Sequence, residues 1–402
     1  MSAFASDIDA RVPFSWEDRE PILELDFEIA EYRARIDRLQ RLLADEQIDA
    51  MVVYGGDAEC SVRYLSGFFN YWGDTVVLIP QAGEPTLITN AIYHGEPMHS
   101  NIQTTWMRDV RVLLNAQSTK RPHTVVAGAA DLIGEWGLAR GRVAYADTRH
   151  LPMRIHAELR ERLPDAVLVD GSKLLRGMRA IKSAAEQEAI RELGVITSAA
   201  MDAGLAIIEP GVTESEVAGA IIGAAVAAGA ERCQTFISSG QRSFMKNVYA
   251  LRGKVVEPGE FLNVDMAAKY RGYQSDMARV GIPGRARPQD VALFEACLAA
   301  EEAGLAVVRD GVEPIVVLQT MSAVIADHGF AAWDFTTSHG GGLELAEDPY
   351  FVAGADPLRA GMTFYIEPMI VPTEIGSVCI EDMLIVTEDG AEQVTSSPKV
   401  TW

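Results

Sequence analysis

Two apolar segments near the C-terminal end of the chain carry a glutamate where a buried strand would hold an apolar side chain. They are MTFYIEPMIV, with Glu367, and VCIEDMLIV, with Glu381. A carboxylate in such a strand is costly to bury unless it is paired or bound to a metal. The spacing of fourteen residues lets the two glutamates face each other if the strands pair through an odd-length turn. For either glutamate alone, a solvated carboxylate at a strand end is the competing interpretation.

A pair of aspartates lies in the segment 261–280, FLNVDMAAKYRGYQSDMARV. Two strand-like stretches flank a turn, and with Tyr270 and Arg271 at the tip Asp265 faces Asp276. Their Cβ atoms would then lie roughly 5 Å apart on one face of a hairpin. Two carboxylates held that close repel each other unless a cation or a shared proton lies between them. Two solvated aspartates at strand ends are the other interpretation.

A histidine adds a nitrogen donor to these carboxylates. His339 lies in SHGGGL, where the glycines let the backbone approach a ligand closely, although a lone histidine in such a place is more often structural. Two aspartates, one histidine and two glutamates suit Mn, Co, Fe or Zn, as a metal pair about 3.5–4 Å apart. No thiolate belongs to the set, which argues against a structural zinc site. The sequence therefore predicts a centre for divalent metal, with two ions expected.

The first part of the chain, residues 1–170, alternates between short apolar runs and helical periodicity. Strands are predicted at 50–54, 75–80, 85–89, 142–145 and 166–169, and helices at 27–46 and 152–163. Such alternation is typical of an α/β domain. We find no catalytic cluster in it.

The second part, residues 171–402, has a different pattern, in which helices come in pairs between groups of short strands. Helices are predicted at 184–208, after the capping box Thr213-x-x-Glu216, at 289–309 and at 313–328. Gly and Pro turns separate the strands after about residue 234. This order predicts an α+β domain.

The charge of the chain limits the partners it can have. The 35 basic and 57 acidic residues give a net charge of −22, which repels phosphate backbones and argues against a nucleic-acid partner. The four scattered cysteines indicate a reducing compartment. The first residues do not form a signal peptide, and the apolar run 217–230 is too short to span a bilayer and predicts a buried helix. We therefore expect a cytoplasmic protein without membrane contact.

The ordered acidic and histidine residues resemble the creatinase, aminopeptidase P, prolidase and methionine aminopeptidase family. Asp265 and Asp276 match its aspartate ligands at the expected spacing, His339 matches the histidine of its HGxGL pattern, and Glu367 and Glu381 match its glutamate ligands. The resemblance implies a metal-binding catalytic domain with the pita-bread fold. It also implies a smaller creatinase-type N-terminal domain and a homodimer.

Three positions depart from the peptidases of that family. Asn247 stands where they carry a histidine, Ala346 where they carry a second one, and Cys379 where proline-specific members often have an arginine. Asparagine cannot shuttle protons as imidazole does, and alanine offers no polar group. These departures favour a small non-peptide substrate.

The resemblance implies a metal-dependent hydrolase that cleaves a C–N bond, amide or amide-like. Glu367 would take a proton from the attacking water and pass it to the leaving nitrogen. Asn247 would donate a hydrogen bond to the substrate or the oxyanion, and Arg242 would bind a carboxylate unless it lies on an exposed polar loop. Arg279 would support the metal ligands from behind.

Three other functions remain open on the sequence. An Xaa-Pro aminopeptidase or dipeptidase would act on short peptides. A lyase would use the same metal to acidify a carbon atom. A non-catalytic binding module is the third, although such modules usually lose the ligands.

Overall fold

The computed structural model describes residues 15–55, 60–70, 73–90, 92–93, 97–98, 101–113, 124–240, 243, 253–332, 338–371 and 376–402. The chain divides into two compact units, Met1–Met178 and Arg179–Trp402. The predicted boundary, between residues 170 and 171, lies eight residues earlier in the chain. Within the described residues, no helix combines the length and the apolar character needed to cross a membrane.

The first unit contains short helices and eight strands. Its helices are α1 (Trp16–Arg19), α2 (Ile29–Asp45), α3 (Ser61–Ser66), α4 (Val125–Glu135), α5 (Met153–Arg162) and α6 (Ser172–Ala180), which runs across the division. Its strands are β1 (Ala50–Gly55), β2 (Thr75–Pro80), β3 (Thr86–Asn90), β4 (Ile92–Tyr93), β5 (Pro97–Met98), β6 (Asp109–Leu113), β7 (Arg142–Ala146) and β8 (Val167–Asp170).

Six of these strands form one mixed sheet in the order β6-β3-β2-β1-β7-β8. The pairs β3/β6, β1/β7 and β7/β8 are parallel, whereas β2 pairs antiparallel with both β1 and β3. Val52 and Val76 pack with α4 and α5, and their neighbours Met51 and Val77, which point the other way, are also fully buried. A sheet buried on both faces explains why its strands are continuous apolar runs. The predicted α/β domain is confirmed.

The second unit contains two helix pairs and twelve short strands among its described residues. The helices are α7 (Ala184–Leu205), α8 (Glu214–Ala227), α9 (Pro288–Val307) and α10 (Pro314–Asp327). The strands are β9 (Arg232–Ser239), β10 (Leu262–Tyr270), β11 (Tyr273–Gln274), β12 (Met277–Gly281), β13 (His339–Gly340), β14 (Glu347–Tyr350), β15 (Thr363–Ile366), β16 (Met369–Ile370), β17 (Val378–Cys379), β18 (Asp382–Val386), β19 (Ala391–Gln393) and β20 (Val400–Thr401).

The strands of the second unit form two five-stranded sheets and one two-stranded ribbon. One sheet has the order β11-β10-β12-β20 with β9 also paired to β10, and the other has the order β14-β13-β15-β18-β19. The ribbon joins β16 and β17. An isolated antiparallel bridge between Ala278 and Glu381 connects the two sheets. The predicted α+β domain is confirmed, and the bridge brings the acidic strands together.

The register of the glutamate strands follows from two ladders. Ile366 pairs with Asp382 in one, and Met369 pairs with Cys379 in the other. Both ladders share one register, which places Glu367 opposite Glu381, as the spacing of the two residues predicted.

The register predicted for the aspartate hairpin is wrong. Tyr270 pairs with Tyr273, so the tip is Arg271–Gly272 rather than Tyr270–Arg271, and Asp265 faces Ala278. Both tip residues have positive φ, 48° at Arg271 and 84° at Gly272, as a type I′ two-residue turn requires. Asp276 therefore lies in the irregular step between β11 and β12 instead of directly opposite Asp265.

The predicted capping box opens α8. The Glu216 backbone N–H donates to Thr213 Oγ1 at 3.1 Å, and the Thr213 backbone N–H donates to a Glu216 carboxylate oxygen at 2.8 Å. The expectation of a buried helix is correct for only one face, since Val217 is buried but Val226 is 53% exposed. The apolar run covers the whole helix circumference, and only the side toward the unit is packed.

A buried ionic network lies beneath the strands that carry Glu381. Arg279 donates to the Glu381 carbonyl oxygen and to Asp382 Oδ1, both at 2.7 Å. Lys399 contacts the other oxygen of Asp382 and lies 2.9 Å from Glu301 on α9. Burial would raise the pKa of Asp382, but Arg279 and Lys399 hold that pKa below its ordinary value. Burial, with the nearby Asp382 charge, raises the pKa of Glu301 to about 8.

Replacing Glu301 should change how stability depends on pH. The folded protein holds the Glu301 proton well above the ordinary glutamate pKa of 4.5, so this group's contribution to stability is complete below pH 4.5 and is lost as pH rises to about 8. Glu301→Gln mimics the protonated form, so its thermal midpoint should fall less than that of the wild type between pH 5 and pH 8. Glu302→Gln, at an exposed neighbouring position, is the matched control. Parallel curves for wild type and Glu301→Gln would contradict this prediction.

Candidate metal centre

The five predicted ligands lie at strand ends in the two sheets of the second unit. Asp265 is in β10, Asp276 precedes β12, His339 opens β13, Glu367 follows β15 and Glu381 precedes β18. The four carboxylates are buried, with exposed fractions between 1% at Glu381 and 7% at Glu367. The fold thus brings together four acidic side chains that are separated by up to 116 positions in sequence.

The side chains form two donor groups that share one residue. In the first group, Asp276, His339 and Glu381 each offer one ligand atom, and these atoms lie within 4.8 Å of one another. In the second group, Asp265, Glu367 and Glu381 do the same. A glutamate has two oxygens and can contribute to both groups. Carboxylates with one imidazole suit a divalent transition ion, so the donor set fits a pair of such ions.

The imidazole of His339 has a defined orientation. Its Nε2 atom lies 3.8 Å from Asp276 Oδ2, and its Nδ1 atom lies 3.1 Å from the carbonyl oxygen of Gly340. We assign the proton to Nδ1 because a carbonyl oxygen can only accept. The Nε2 lone pair is then directed toward the acidic group, as a metal ligand requires.

Three consecutive glycines after His339 each make room for a different neighbour. A Cβ atom on Gly340 would overlap the backbone of β14, and one on Gly341 would overlap the ring and hydroxyl of Tyr365. One on Gly342 would overlap the Glu347 carboxylate. The motif therefore reflects close packing around the histidine rather than chain flexibility.

A buried ion cluster holds the segment that follows these glycines. Arg179 contacts Glu347 and donates to Glu344 at 2.8 Å, and Lys182 Nζ lies 3.1 Å from the other Glu347 oxygen. Burial would raise the pKa of Glu347, but Arg179 and Lys182 lower it below the ordinary value. Glu347 is therefore an ionised structural group that anchors the segment.

Glu367 lies in a restricted pocket. Its backbone N–H donates to Ser338 Oγ at 3.0 Å, and the Cys379 thiol donates to its Oε1 at 3.4 Å. Cys379 packs with Ala278 and Met369 in a small apolar cluster. The side chain beside the glutamate is thus small and uncharged.

The two predicted substrate-binding residues, Arg242 and Asn247, lie outside the described residues. Ala346 is described and exposed. The sequence analysis missed Glu347 and its bases as a buried cluster, because their partners are more than 160 positions apart. It also missed Tyr365, whose apolar flanks are typical of any core aromatic residue.

Two family models match the chain. The model of metallopeptidase family M24 matches residues 188–388, half of the chain, and the model of the creatinase/prolidase N-terminal domain matches residues 35–181. The first match contains all five candidate ligands, and the second lies almost entirely in the first unit.

Similar proteins and structures cover nearly the whole chain. An uncharacterized peptidase, YqhT of Bacillus subtilis, is 26% identical over 91% of this chain and 98% of its own length. An Xaa-Pro dipeptidase of Pyrococcus horikoshii is 31% identical over 56% of this chain and 65% of its own length. The structure of an Xaa-Pro dipeptidase from Bacillus anthracis has a TM-score of 0.80 and 26% identity, over 92% of this chain and all of that one.

Gly341→Ala should destabilise the protein. The new Cβ atom would displace the fully buried Tyr365 ring, and overpacking of this kind costs about 1–3 kcal/mol. Gly219→Ala is the matched control, because its Cβ would meet nothing within 4 Å in the middle of α8 and should stabilise by roughly 0.5–1 kcal/mol. Equilibrium urea denaturation of both variants measures the difference. Equal effects at both sites would contradict the packing argument.

Proposed function

The chain belongs to metallopeptidase family M24 and is a metal-dependent hydrolase, and on that premise we propose that it cleaves an amide or amide-like C–N bond in a small substrate. The ligands we assign are Asp265, Asp276, His339, Glu367 and Glu381. The observation that carries the proposal is the sharing of Glu381 between two donor groups, which suits a pair of Mn, Co, Fe or Zn ions.

The chain's own residues take distinct roles in this proposal. A divalent metal bound there would lower the pKa of a water molecule toward neutrality and polarise the carbonyl group of the substrate. Glu367 would accept the proton of the attacking water and pass it to the leaving nitrogen. Asn247 would donate a hydrogen bond to the substrate or the oxyanion, and Arg242 would bind a carboxylate.

The substrate we propose is a small non-peptide molecule. Asn247 and Ala346 replace the two histidines that the sequence comparison with peptidases leads one to expect, so neither position can shuttle a proton. Cys379, in contact with Glu367, removes the positive charge of the expected arginine. A site without that charge has less attraction for the carboxylate of a C-terminal proline.

A second candidate, an Xaa-Pro dipeptidase, is supported by the relatives. Two of the similar proteins reported above carry that name, and one of them matches the chain over nearly its full length. By the same resemblance we propose that the enzyme is a homodimer, which sedimentation velocity tests.

Purified protein should contain divalent metal, and Glu367 should be needed for turnover. We expect about one to two equivalents per chain by plasma mass spectrometry. Glu367→Gln should lower kcat by roughly 10²–10⁴-fold, because the general base is lost, while Glu302→Gln should not. A screen of amides, ureido compounds and cyclic amidines, with Xaa-Pro dipeptides beside them, identifies the substrate.

Two outcomes of that experiment would overturn the proposal. One is a protein that takes up no Mn, Co, Fe or Zn. The other is turnover in ¹⁸O-labelled water without label in the product, which would indicate a lyase. Cleavage of Xaa-Pro dipeptides in preference to every small amide would favour the second candidate.

Restoring the two histidines should shift specificity toward peptides. The double variant Asn247→His with Ala346→His supplies two imidazoles able to transfer protons, so we expect cleavage of Xaa-Pro dipeptides to rise at least about tenfold over the wild type. Asn247→Gln with Ala346→Gln adds polar bulk without a titrating group and is the control. No gain over that control would show that the histidine positions do not decide the substrate class.

A further inference from the structure

We propose that Tyr365 is a positioning residue that fixes the ligand-bearing segments of the metal centre relative to one another. The inference rests on the proposed function, since it concerns the same site. It assigns a role to a side chain that the metal-ligand pattern does not include. Three contacts of Tyr365, each to a different segment, support it.

The first contact orients His339. Tyr365 in β15 and His339 in β13 are direct partners in the antiparallel ladder. Their ring centroids lie 5.0 Å apart with an interplanar angle of 70°, an edge-to-face arrangement. Such a contact restricts rotation of the imidazole about its side-chain bonds. It acts together with the 3.1 Å contact of Nδ1 with Gly340 to direct Nε2 toward Asp276.

The second contact reaches the aspartate turn. The Tyr365 hydroxyl donates to the carbonyl oxygen of Gln274 at 2.8 Å, two residues before Asp276. Gln274 in turn donates from its backbone N–H to the Gly342 carbonyl oxygen at 2.7 Å. The phenol therefore connects the irregular step that carries Asp276 with the glycine segment that follows His339.

The third connection is within the chain, because Tyr365 precedes Glu367 by two residues on one extended segment. One side chain thus connects the segments of three candidate ligands, His339, Asp276 and Glu367. The Tyr365 side chain has no exposed surface, and Gly341 leaves the space for its ring. Burial, with the charges of Asp276, Glu347 and Glu381, raises the pKa of Tyr365 well above 10, so the hydroxyl stays a donor.

A role as core filling alone would not require the hydroxyl. Phenylalanine fills the same volume, and Phe364, the next residue of β15, is equally buried and packs on Phe351 at 5.1 Å on the other side of the strand. Burying a hydroxyl is costly unless it is hydrogen-bonded, so its single hydrogen bond to the aspartate turn is the feature that distinguishes the two aromatics.

The test compares variants of these two neighbours. Tyr365→Phe removes only the hydroxyl, Tyr365→Leu removes the ring as well, and Phe364→Leu is the matched loss of a buried aromatic. We measure the thermal midpoint of metal-free protein, the dissociation constant of Co²⁺ by competition with a chelating dye, and the visible absorption spectrum of the Co²⁺ protein. These readouts separate packing from the geometry of the metal centre.

We expect Tyr365→Phe to weaken Co²⁺ binding about tenfold and Tyr365→Leu up to roughly 100-fold, with altered Co²⁺ spectra in both. Phe364→Leu should lower the metal-free midpoint as much as Tyr365→Leu but keep the wild-type affinity and spectrum. If both leucine variants weaken Co²⁺ binding equally, or if Tyr365→Phe binds as the wild type does, Tyr365 only fills the core and the inference fails alone. A wild type that binds no Co²⁺ overturns the proposed function together with the inference.

Discussion

Four buried carboxylates that converge within hydrogen-bonding reach of one another are the constraint on which the catalytic unit depends. Each is nearly removed from water, and their mutual repulsion would open the site without positive charge. The fold meets the same problem twice more in the same unit. There, Arg279 and Lys399 neutralise Asp382, and Arg179 and Lys182 neutralise Glu347. Divalent metal supplies at the centre the charge that these bases supply around it.

The surrounding structure is arranged so that the carboxylates cannot relax away from each other. The two sheets meet at the bridge between Ala278 and Glu381, and Arg279 holds the Glu381 backbone from behind. Glu347 and its bases hold the segment after His339. Because these anchors are buried and ionic, removing one partner leaves an uncompensated charge in the interior. Geometry at the site is therefore maintained by contacts that never touch a substrate.

Much of this arrangement could be predicted from the sequence. Apolar runs located the strands of the first sheet to within a residue or two, and the even spacing of Glu367 and Glu381 gave their register. The aspartate hairpin was mispredicted because its turn needs positive φ at Arg271, a conformation that arginine rarely adopts and that no local signal announced. The ion pairs of Glu347 were beyond prediction, because local patterns carry no information about partners so distant in sequence.

The three glycines after His339 have a consequence for how this site can change over time. Each is excluded from carrying a side chain by a different neighbour, respectively a strand backbone, an aromatic ring and a carboxylate. No single compensating substitution can open space for all three. This stretch is therefore closed to stepwise variation, and new substrate preferences have to arise where side chains already differ in size and charge, as at Cys379. Evolution toward new chemistry on this scaffold would alter the rim of the site while the histidine segment stays unchanged.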